Sequence, residues 1–461
     1  MNPSDAKRGL PVPRGRINRL WHLGRAAGGI LAGTVAEGAA AWARGRRPPL
    51  SELVFTASNA ERLAERLAHL RGAALKLGQM LSLDGQDLLT PEFSRVLGGL
   101  RNQACTMPLS QLAGVLESEL GRDWNHAFER FGFTPIAAAS IGQVHAATLK
   151  DGRRVAVKVQ YPGIREGIDS DVDNLRRLVR LAGLIPDGMD IGPLVEEARI
   201  QLHREADYRL EAESLLAYRE GLATSRESAD PPLWVPGLIP ELCSERVLTL
   251  ELADGVPVEQ LAEGSHKQGL RDRVAAALSG LVIRELFDLR LMQTDPNFAN
   301  YLYDAERDRL VLLDFGAVRP IAPAVAAGYR DMALGAIAAD EEWVRRAALA
   351  LGYLEGAADP VLARAMAELI LVAAEPLRAP GFYDFSSTDL FERVRALGGD
   401  LVLRRGFTGR PPPETLFLHR KMVGMFLLCR RLGARIHMPS LMAGLDDRPA
   451  SPSTSPSSSE A

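Results

Sequence analysis

The chain has 461 residues, 46% of them hydrophobic and 25% charged, which is the ordinary balance of a folded globular protein. This balance excludes a globally disordered chain, and the length allows about three domains of typical size or one large catalytic domain with extensions. The 55 Lys and Arg against 58 Asp and Glu give a formal net charge of -3, so no nucleic-acid partner is expected. The cysteines are too far apart in sequence for a disulfide scaffold or a zinc site, and they fit a reducing compartment: Cys105, Cys243 and Cys429.

The N-terminal segment, residues 1–48, has a basic start and then a run of small residues at 26–42. The run is shorter than the roughly 20 apolar residues that span a bilayer, and it contains Glu37. We interpret it as a small-residue helix packed on protein or lying at an interface, with a true membrane span as the alternative. The arginines that follow it would suit anionic lipid headgroups in either membrane case: Arg44, Arg46 and Arg47.

The next segment, residues 49–135, has a predominantly helical pattern. Within residues 57–82, apolar side chains recur at steps of three and four with charges between them, which predicts an amphipathic helix. Prolines at 91, 108 and 135 punctuate further helical segments up to about residue 135. This part of the chain is predicted to be a helical extension.

A β-rich segment follows at residues 136–255. Residues 143–149 and 153–160 predict two strands, and Asp-Gly at 151–152 supplies the backbone angles of a tight hairpin turn. Residues 193–219 predict one long polar helix, and residues 246–252 predict another strand.

Residues 256–445 are predicted to be largely helical, and the short apolar run at 422–429 is interpreted as a core helix. The Ser- and Pro-rich residues 446–461 predict a disordered tail. The order of these segments predicts an α+β fold with a helical N-terminal extension, a small β-rich lobe and a mostly helical C-terminal lobe.

Separated motifs follow the order of protein-kinase motifs. The VAVK sequence at 155–158 places Lys158 at the end of a strand, where it would act as a fixed positive charge for nucleotide phosphates. Asp295 precedes Asn300 by five residues, the spacing of a kinase catalytic loop, and Asp314 begins a DFG sequence after an apolar strand. A carboxylate at the end of a buried strand is costly unless it is bound, and Mg²⁺ with phosphates would bind it.

The loop that covers the nucleotide in kinases differs here. On the template G-x-G-x-x-G-x-V, counted back from Val144, the glycine positions fall on Ala137, Ala139 and Gly142. The two alanines limit how closely the backbone can cover phosphates, because each carries a Cβ atom. Further upstream, Lys76 and Gln79 flank a mid-helix glycine, a pattern that by itself is typical of a solvated helix face.

Together these residues resemble the UbiB/ADCK family of atypical kinase-like proteins, which is linked to ubiquinone biosynthesis. The matching motifs run in family order over about residues 50–440: KxGQ at 76–79, AAAS at 137–140 with IGQVH following, VAVK at 155–158, ExD at 205–207, QTDPN at 293–297 and DFG at 314–316. KxGQ and the alanine loop are specific to this family. The resemblance implies a two-lobed protein-kinase-like fold in which the N-terminal extension carries KxGQ across the active site.

The resemblance also implies roles for individual residues. Catalytic roles are expected for Asp295 as the base, with Lys158, Lys76 and Gln79. Metal binding is expected of Asn300 and Asp314. Nucleotide binding is expected of Ala137, Ala138, Ala139, Ser140, Gly142, Val144, Lys158, Glu205, Asp207 and Glu211.

Two lysines, Lys158 and Lys76, have three candidate carboxylate partners: Glu205, Asp207 and Glu211. Asp207 and Glu211 are four residues apart and would share a helix face, whereas Glu205 would lie about 120° from Glu211. We prefer Glu211 as the partner of Lys158, with Glu205 and Asp207 facing Lys76.

The implied activity is that of an ATPase with ATP and Mg²⁺ that supports ubiquinone biosynthesis, without protein-kinase activity in trans. The implied partners are membrane lipids or quinone precursors and ubiquinone-biosynthesis enzymes. The resemblance also allows a homodimer. The expected location is cytoplasmic, with peripheral attachment to a membrane.

The alternative functions are a genuine small-molecule or protein kinase, which Asp295 and the metal ligands permit, and a nucleotide-regulated lipid-binding pseudokinase. KxGQ and the alanine loop favour the ATPase, since both would obstruct a peptide substrate.

Overall fold

The computed structural model describes residues 106–139, 141–181, 192–224, 229–263, 266–354, 359–403, 413–443 and 445. The predictions for residues 1–48, the KxGQ helix and the tail at 446–461 lie outside the described residues. Ser140 also lies outside them.

The described elements alternate between helices and short strands. The helices are α1 (Leu109–Leu120), α2 (Ile164–Leu181), α3 (Gly192–Glu205), α4 (Tyr208–Thr224), α5 (Gln268–Arg284), α6 (Pro323–Ile337), α7 (Glu341–Ala350), α8 (Pro360–Ala373), α9 (Leu390–Leu403), α10 (Pro413–Leu432) and α11 (Met438–Leu441). The strands are β1 (Phe128–Phe131), β2 (Ala137–Ala138), β3 (Gly142–Leu149), β4 (Arg154–Gln160), β5 (Leu233–Trp234), β6 (Val247–Glu251), β7 (Val256–Pro257), β8 (Leu291–Gln293), β9 (Tyr301–Asp304), β10 (Arg309–Leu312), β11 (Val318–Pro320), β12 (Tyr383–Asp384) and β13 (Arg435–Ile436). This mixture confirms the predicted α+β class.

The chain divides into two compact units. The first unit comprises Met1–Glu213 and Pro236–Ala253, and the second comprises Ser214–Val235 and Asp254–Ala461. The domain boundaries inferred from the sequence stay predictions.

The first unit is built on an antiparallel sheet with strand order β1-β3-β4-β6, in which β2 also pairs with β3. The side chains of Val155, Val157 and Val159 alternate along β4 and are fully buried. They share one apolar cluster with Leu112 and Leu116 of α1. The alternating residues of β4 therefore mark the face that packs on a helix.

The predicted β3–β4 hairpin is confirmed, with Val144 opposite Lys158. At its tip Gly152 has a φ of +87°, a conformation that favours glycine. The Asp151 carboxylate accepts a hydrogen bond from the backbone N–H of Arg153 at 3.0 Å. The register that places Lys158 is thus fixed by a local turn.

The second unit contains a sheet of order β5-β10-β9-β7 and a separate pair, β8 with β11. One apolar cluster of this unit joins residues of α6, α7, α8 and α10, among them Met332, Ala348, Met366 and Leu418. Between α5 and β8 the chain makes a π-helical turn, Glu285–Leu289, and Arg290 then adopts a left-handed conformation.

Within the described part of the chain, no helix is both long and apolar enough to cross a membrane.

The structure corrects two expectations from the sequence. Residues 193–219 do not form one helix, because the backbone N–H of Tyr208 bonds to the carbonyl of Glu245 and a new helix starts there. The region before residue 135 is not wholly helical either, because Phe128–Phe131 pairs with β3 as an edge strand. Both departures depend on partners distant in sequence.

We expect Gly142→Ala to lower the free energy of unfolding by roughly 1–3 kcal/mol, the usual cost of overpacking. A Cβ atom at Gly142 would lie 2.4 Å from the carbonyl oxygen of Val159, a backbone atom that cannot move cheaply. Denaturant unfolding measures the change.

Gly114→Ala in α1 is the matched control, since a Cβ atom there meets nothing within 4 Å. Alanine has the higher helix propensity, so this variant should be as stable as the wild type or more so. Equal stability of the two variants would contradict the steric argument.

Candidate functional site

In the first unit, Lys158 and Glu211 form an ion pair. The Lys158 ammonium donates hydrogen bonds to both carboxylate oxygens of Glu211, at 2.9 Å and 2.8 Å. The Lys158 side chain is 17% exposed and that of Glu211 is 3% exposed. This is the pairing that the sequence analysis preferred; the functional roles of both residues stay predictions.

Three elements position this pair. Lys158 lies on β4 between Val144 of β3 and Leu248 of β6, and its ammonium lies 4.9 Å from the centre of the Tyr208 ring. Glu211 lies in the first turn of α4, where the helix dipole favours a negative charge. The ammonium is therefore held by a carboxylate while part of its side chain stays open to solvent, as contact with a phosphate would require.

The other two acids do not share a helix with Glu211 as the helical spacing assumed. Glu205 is the last residue of α3, and Asp207 lies in the break between α3 and α4. The Asp207 carboxylate accepts a hydrogen bond from the backbone N–H of Arg209 at 3.1 Å, which caps the start of α4. Their proposed pairing with Lys76 stays a prediction, because Lys76 and Gln79 are outside the described residues.

The alanine loop forms part of the sheet of the first unit. Ala137 pairs with Val144 and Ala138 pairs with Gln143. The backbone N–H of Ala139 donates to the carbonyl of Gly142 at 2.8 Å. The loop therefore turns back tightly on β3, the strand that faces Lys158 across the hairpin.

In the second unit, the QTDPN loop connects β8 to a short helical turn, Phe298–Asn300. The side-chain oxygen of Asn297 accepts a hydrogen bond from the backbone N–H of Ala299 at 3.3 Å and so caps this turn. Asp295, the expected base, is 8% exposed. Asp295 is thus nearly buried, in a loop whose backbone is bonded from Thr294 to Ala317 and from Asn300 to Asn297.

Asp314 is tied to the same loop. The backbone N–H of Leu313 donates to the carbonyl of Asn300 at 2.8 Å, which joins the two expected metal ligands through the main chain. Asp314 has a φ of +60°, and its carboxylate accepts from the N–H of Gly316 at 3.2 Å. A non-glycine residue held in this strained region is typical of functional sites.

Asn300 and Asp314 fit a magnesium site in their chemistry. Asn300 is 6% exposed, and its Nδ2 atom has no hydrogen-bond partner among the described residues. Because the two ends of an amide can exchange places, such a side chain can turn its oxygen toward a cation. Mg²⁺ typically takes one or two protein ligands and completes its shell with phosphate oxygens and water.

Sequence reasoning missed a buried polar cluster beneath this loop. Lys421 and Glu285 are 1% and 0% exposed, and Nζ of Lys421 lies 3.3 Å from Oε2 of Glu285. Burial opposes the charge of Lys421, but the charge of Glu285 and the hydrogen bond to the Tyr301 hydroxyl outweigh it and raise its pKa. The available signal was spacing: Lys421 occupies the apolar face of α10 that Leu418 and Leu428 define.

The family model of the ABC1 atypical kinase-like domain matches residues 99–348 of this chain. The mitochondrial atypical kinase COQ8B of Rattus norvegicus is 40% identical over 441 residues, 94% of this chain and 81% of its own. The mitochondrial atypical kinase COQ8 of Saccharomyces cerevisiae is 36% identical over 439 residues, 95% of this chain and 86% of its own.

A solved structure is also similar. It is the complex of Rv3197 with erythromycin from Mycobacterium tuberculosis, with a TM-score of 0.59 and 25% identity, and the match covers 86% of this chain and 97% of that one. These matches confirm the kinase-like fold predicted from the motifs.

We expect Lys158→Met to lower the free energy of unfolding by about 3 kcal/mol, because it leaves the Glu211 carboxylate buried without its ammonium. Adding Glu211→Gln to this variant removes the carboxylate charge and should recover much of the loss. Denaturant unfolding of the wild type, both single variants and the double variant measures the coupling.

The control is Arg153→Met, which breaks the exposed ion pair with Asp151 at the tip of the same hairpin. Its unfolding should stay close to that of the wild type. A double variant no more stable than Lys158→Met would show that Glu211 does not depend on the lysine charge.

Proposed function

The chain belongs to the ABC1 atypical kinase-like family, and from that premise we propose that it binds and hydrolyses Mg-ATP to support ubiquinone biosynthesis at a membrane. It is an atypical kinase-like enzyme of the ATPase or phosphotransferase type, as the UbiB/ADCK resemblance of its motifs indicated. The observation that carries the proposal is the Lys158–Glu211 ion pair, in which the lysine side chain is 17% exposed. Lys158 lies opposite Val144 of β3, the strand with which the alanine loop pairs.

The proposed roles follow the geometry of each unit. Lys158 contacts nucleotide phosphates, and Glu211 holds its ammonium in place. Asp295 lies in the position of a catalytic base and orients the attacking group, which is water in hydrolysis. Asn300 and Asp314 hold Mg²⁺, which would neutralise charge on the phosphates when bound.

Hydrolysis rather than transfer to a protein is favoured by the alanine loop. Ala137 and Ala138 form strand pairs with β3, and Ala139 closes a tight turn onto Gly142. A methyl group at each position keeps this backbone from approaching phosphates as closely as a glycine loop does. KxGQ, at Lys76 and Gln79, is proposed to obstruct a peptide substrate, as the resemblance implies.

A peripheral membrane location is the second part of the proposal. The basic and small-residue segment 1–48 would attract anionic headgroups electrostatically and offers limited apolar surface for insertion. The proposed location is cytoplasmic, and the proposed partners are lipids or quinone precursors with the enzymes that modify them.

We expect Asp314→Asn to lower the rate of ATP turnover about 100-fold or more, because an amide cannot supply the charge that holds a metal between phosphates. The assay measures phosphate release with and without anionic liposomes, alongside a screen for labelled acceptors. Asp331→Asn, the same change at an exposed position of the second unit, is the control.

Three outcomes separate the candidate functions. Phosphate release without a labelled product supports the ATPase, and a stoichiometric labelled acceptor would instead make the protein a kinase. No turnover by the wild type under any condition would leave only the nucleotide-regulated pseudokinase. Wild-type turnover by Asp314→Asn would overturn the metal assignment.

For the biosynthetic role, we expect cells that lack this protein to contain less ubiquinone and to recover it when the wild-type chain, but not Asp314→Asn, is supplied. Quantifying quinones in lipid extracts tests this. An unchanged quinone profile would refute the role in biosynthesis and leave the ATPase proposal intact.

A further inference from the structure

Helix α10 lies beyond residues 99–348, the part of the chain that the family model matches, yet two of its residues contact the QTDPN loop. We infer that Lys421 and Gly424 are positioning residues that fix the loop carrying Asp295 and the segment carrying Asp314. The inference rests on the proposed function of those two aspartates.

The Lys421 ammonium uses all of its donors on this loop. It donates to the carbonyl oxygen of Gln293 at 2.9 Å, to Oε1 of Gln293 at 3.1 Å and to the hydroxyl of Tyr301 at 2.7 Å. These acceptors lie on either side of Asp295 in the chain. A lysine has three N–H donors, so this arrangement fixes both ends of the loop from one point.

Gln293 connects Lys421 to Asp314. Its side-chain Nε2 points to the backbone carbonyl of Asp314 at 3.5 Å, and its backbone pairs with Val318 of β11. Its backbone N–H donates to Oε1 of Glu285 at 3.0 Å. Gln293 is therefore held by Lys421 and Glu285 at once, two residues before Asp295.

Glu285 links the ion pair to the DFG segment through Tyr218. The same oxygen accepts a hydrogen bond from the hydroxyl of Tyr218 at 2.8 Å, and the Tyr218 ring packs edge-on against Phe315 at 5.2 Å. Phe315 directly follows Asp314. The buried ion pair is thus connected to the DFG segment as well as to the QTDPN loop.

Gly424 lies three residues after Lys421, one turn further along α10. A Cβ atom at this position would lie 2.3 Å from Cβ of Pro296, the residue that follows Asp295. Only glycine allows the helix and the loop this separation. Lys421 and Gly424 therefore contact the residues at 293 and 296, which flank Thr294 and Asp295.

A purely structural role for Lys421 would be to neutralise Glu285. The double variant Glu285→Gln/Lys421→Met separates the two roles, because it removes both charges together. Neutralisation alone predicts that this variant regains stability and turnover. Positioning predicts that it regains stability but not turnover, since methionine cannot donate to Gln293 or Tyr301.

The experiment uses the full chain and compares Lys421→Met, the double variant and Gly424→Ala with the wild type. The matched controls are Arg431→Met, an exposed cation on the same helix, and Gly398→Ala, a helical glycine at which an added Cβ atom would meet nothing within 4 Å. The readouts are kcat and KM for ATP, the thermal midpoint, and amide hydrogen exchange of residues 291–304 without ligand.

We expect kcat to fall roughly tenfold or more in all three test variants while KM for ATP changes less than about threefold. Exchange within residues 291–304 should rise in these variants, and both controls should match the wild type. Recovery of both the thermal midpoint and kcat in the double variant would overturn the inference. Unchanged exchange at 291–304 in Lys421→Met would overturn it as well.

The two proposals fail in different ways. If the wild type neither hydrolyses ATP nor transfers its phosphoryl group, the proposed function fails, but hydrogen exchange still decides whether Lys421 fixes the loop. If the wild type turns over ATP and exchange in the variants is unchanged, the inference alone fails.

Discussion

The second unit depends on a pair of charges that water does not reach. Taking an ammonium and a carboxylate out of water costs several kcal/mol per ion, and mutual attraction offsets this only when the remaining donors and acceptors are satisfied. Lys421 meets this condition through Gln293 and Tyr301. Oε1 of Glu285 accepts hydrogen bonds from Gln293 and Tyr218, whereas Oε2 has no hydrogen-bond partner among the described residues and faces the Lys421 ammonium at 3.3 Å. Moving Gln293 or Tyr301 away would remove hydrogen bonds from these buried charges, so the ion pair opposes displacement of the loop between residues 291 and 301.

The ion pair of the first unit carries the same cost of removing charges from water, but its lysine is less deeply buried. Glu211 is nearly buried, but 17% of the Lys158 side chain is exposed while its ammonium is held by the carboxylate. Lys421 is 1% exposed and can serve only the protein around it. Exposure of the lysine, rather than the presence of a salt bridge, distinguishes a group suited to bind phosphate from one suited to support a loop.

The sequence predicted the features that depend on neighbouring residues. The β3–β4 hairpin follows from two strand segments joined by an Asp-Gly turn, and these also fix the position of Lys158. The break between α3 and α4 could not be predicted, because it depends on a bond from Tyr208 to Glu245, residues far apart in the chain. The contacts of Lys421 could not be predicted for the same reason: its partners lie 120 and 128 residues earlier, and helical spacing alone does not identify them. The functional roles of the motif residues stay predictions.

Charge and steric fit constrain the candidate site in complementary ways. A hydrogen-bonded ammonium sets the direction in which Gln293 and Tyr301 point, but a flexible lysine side chain tolerates small changes in the separation of helix and loop. A glycine sets that separation, because at Gly424 a single methyl group would meet Pro296 at 2.3 Å. Gly142 does the same in the first unit, where a Cβ atom added to β3 would lie 2.4 Å from the Val159 oxygen. Gly424 and Gly142 therefore each allow a separation that a Cβ atom would prevent, whereas Ala137, Ala138 and Ala139 carry Cβ atoms in the loop that folds back on β3.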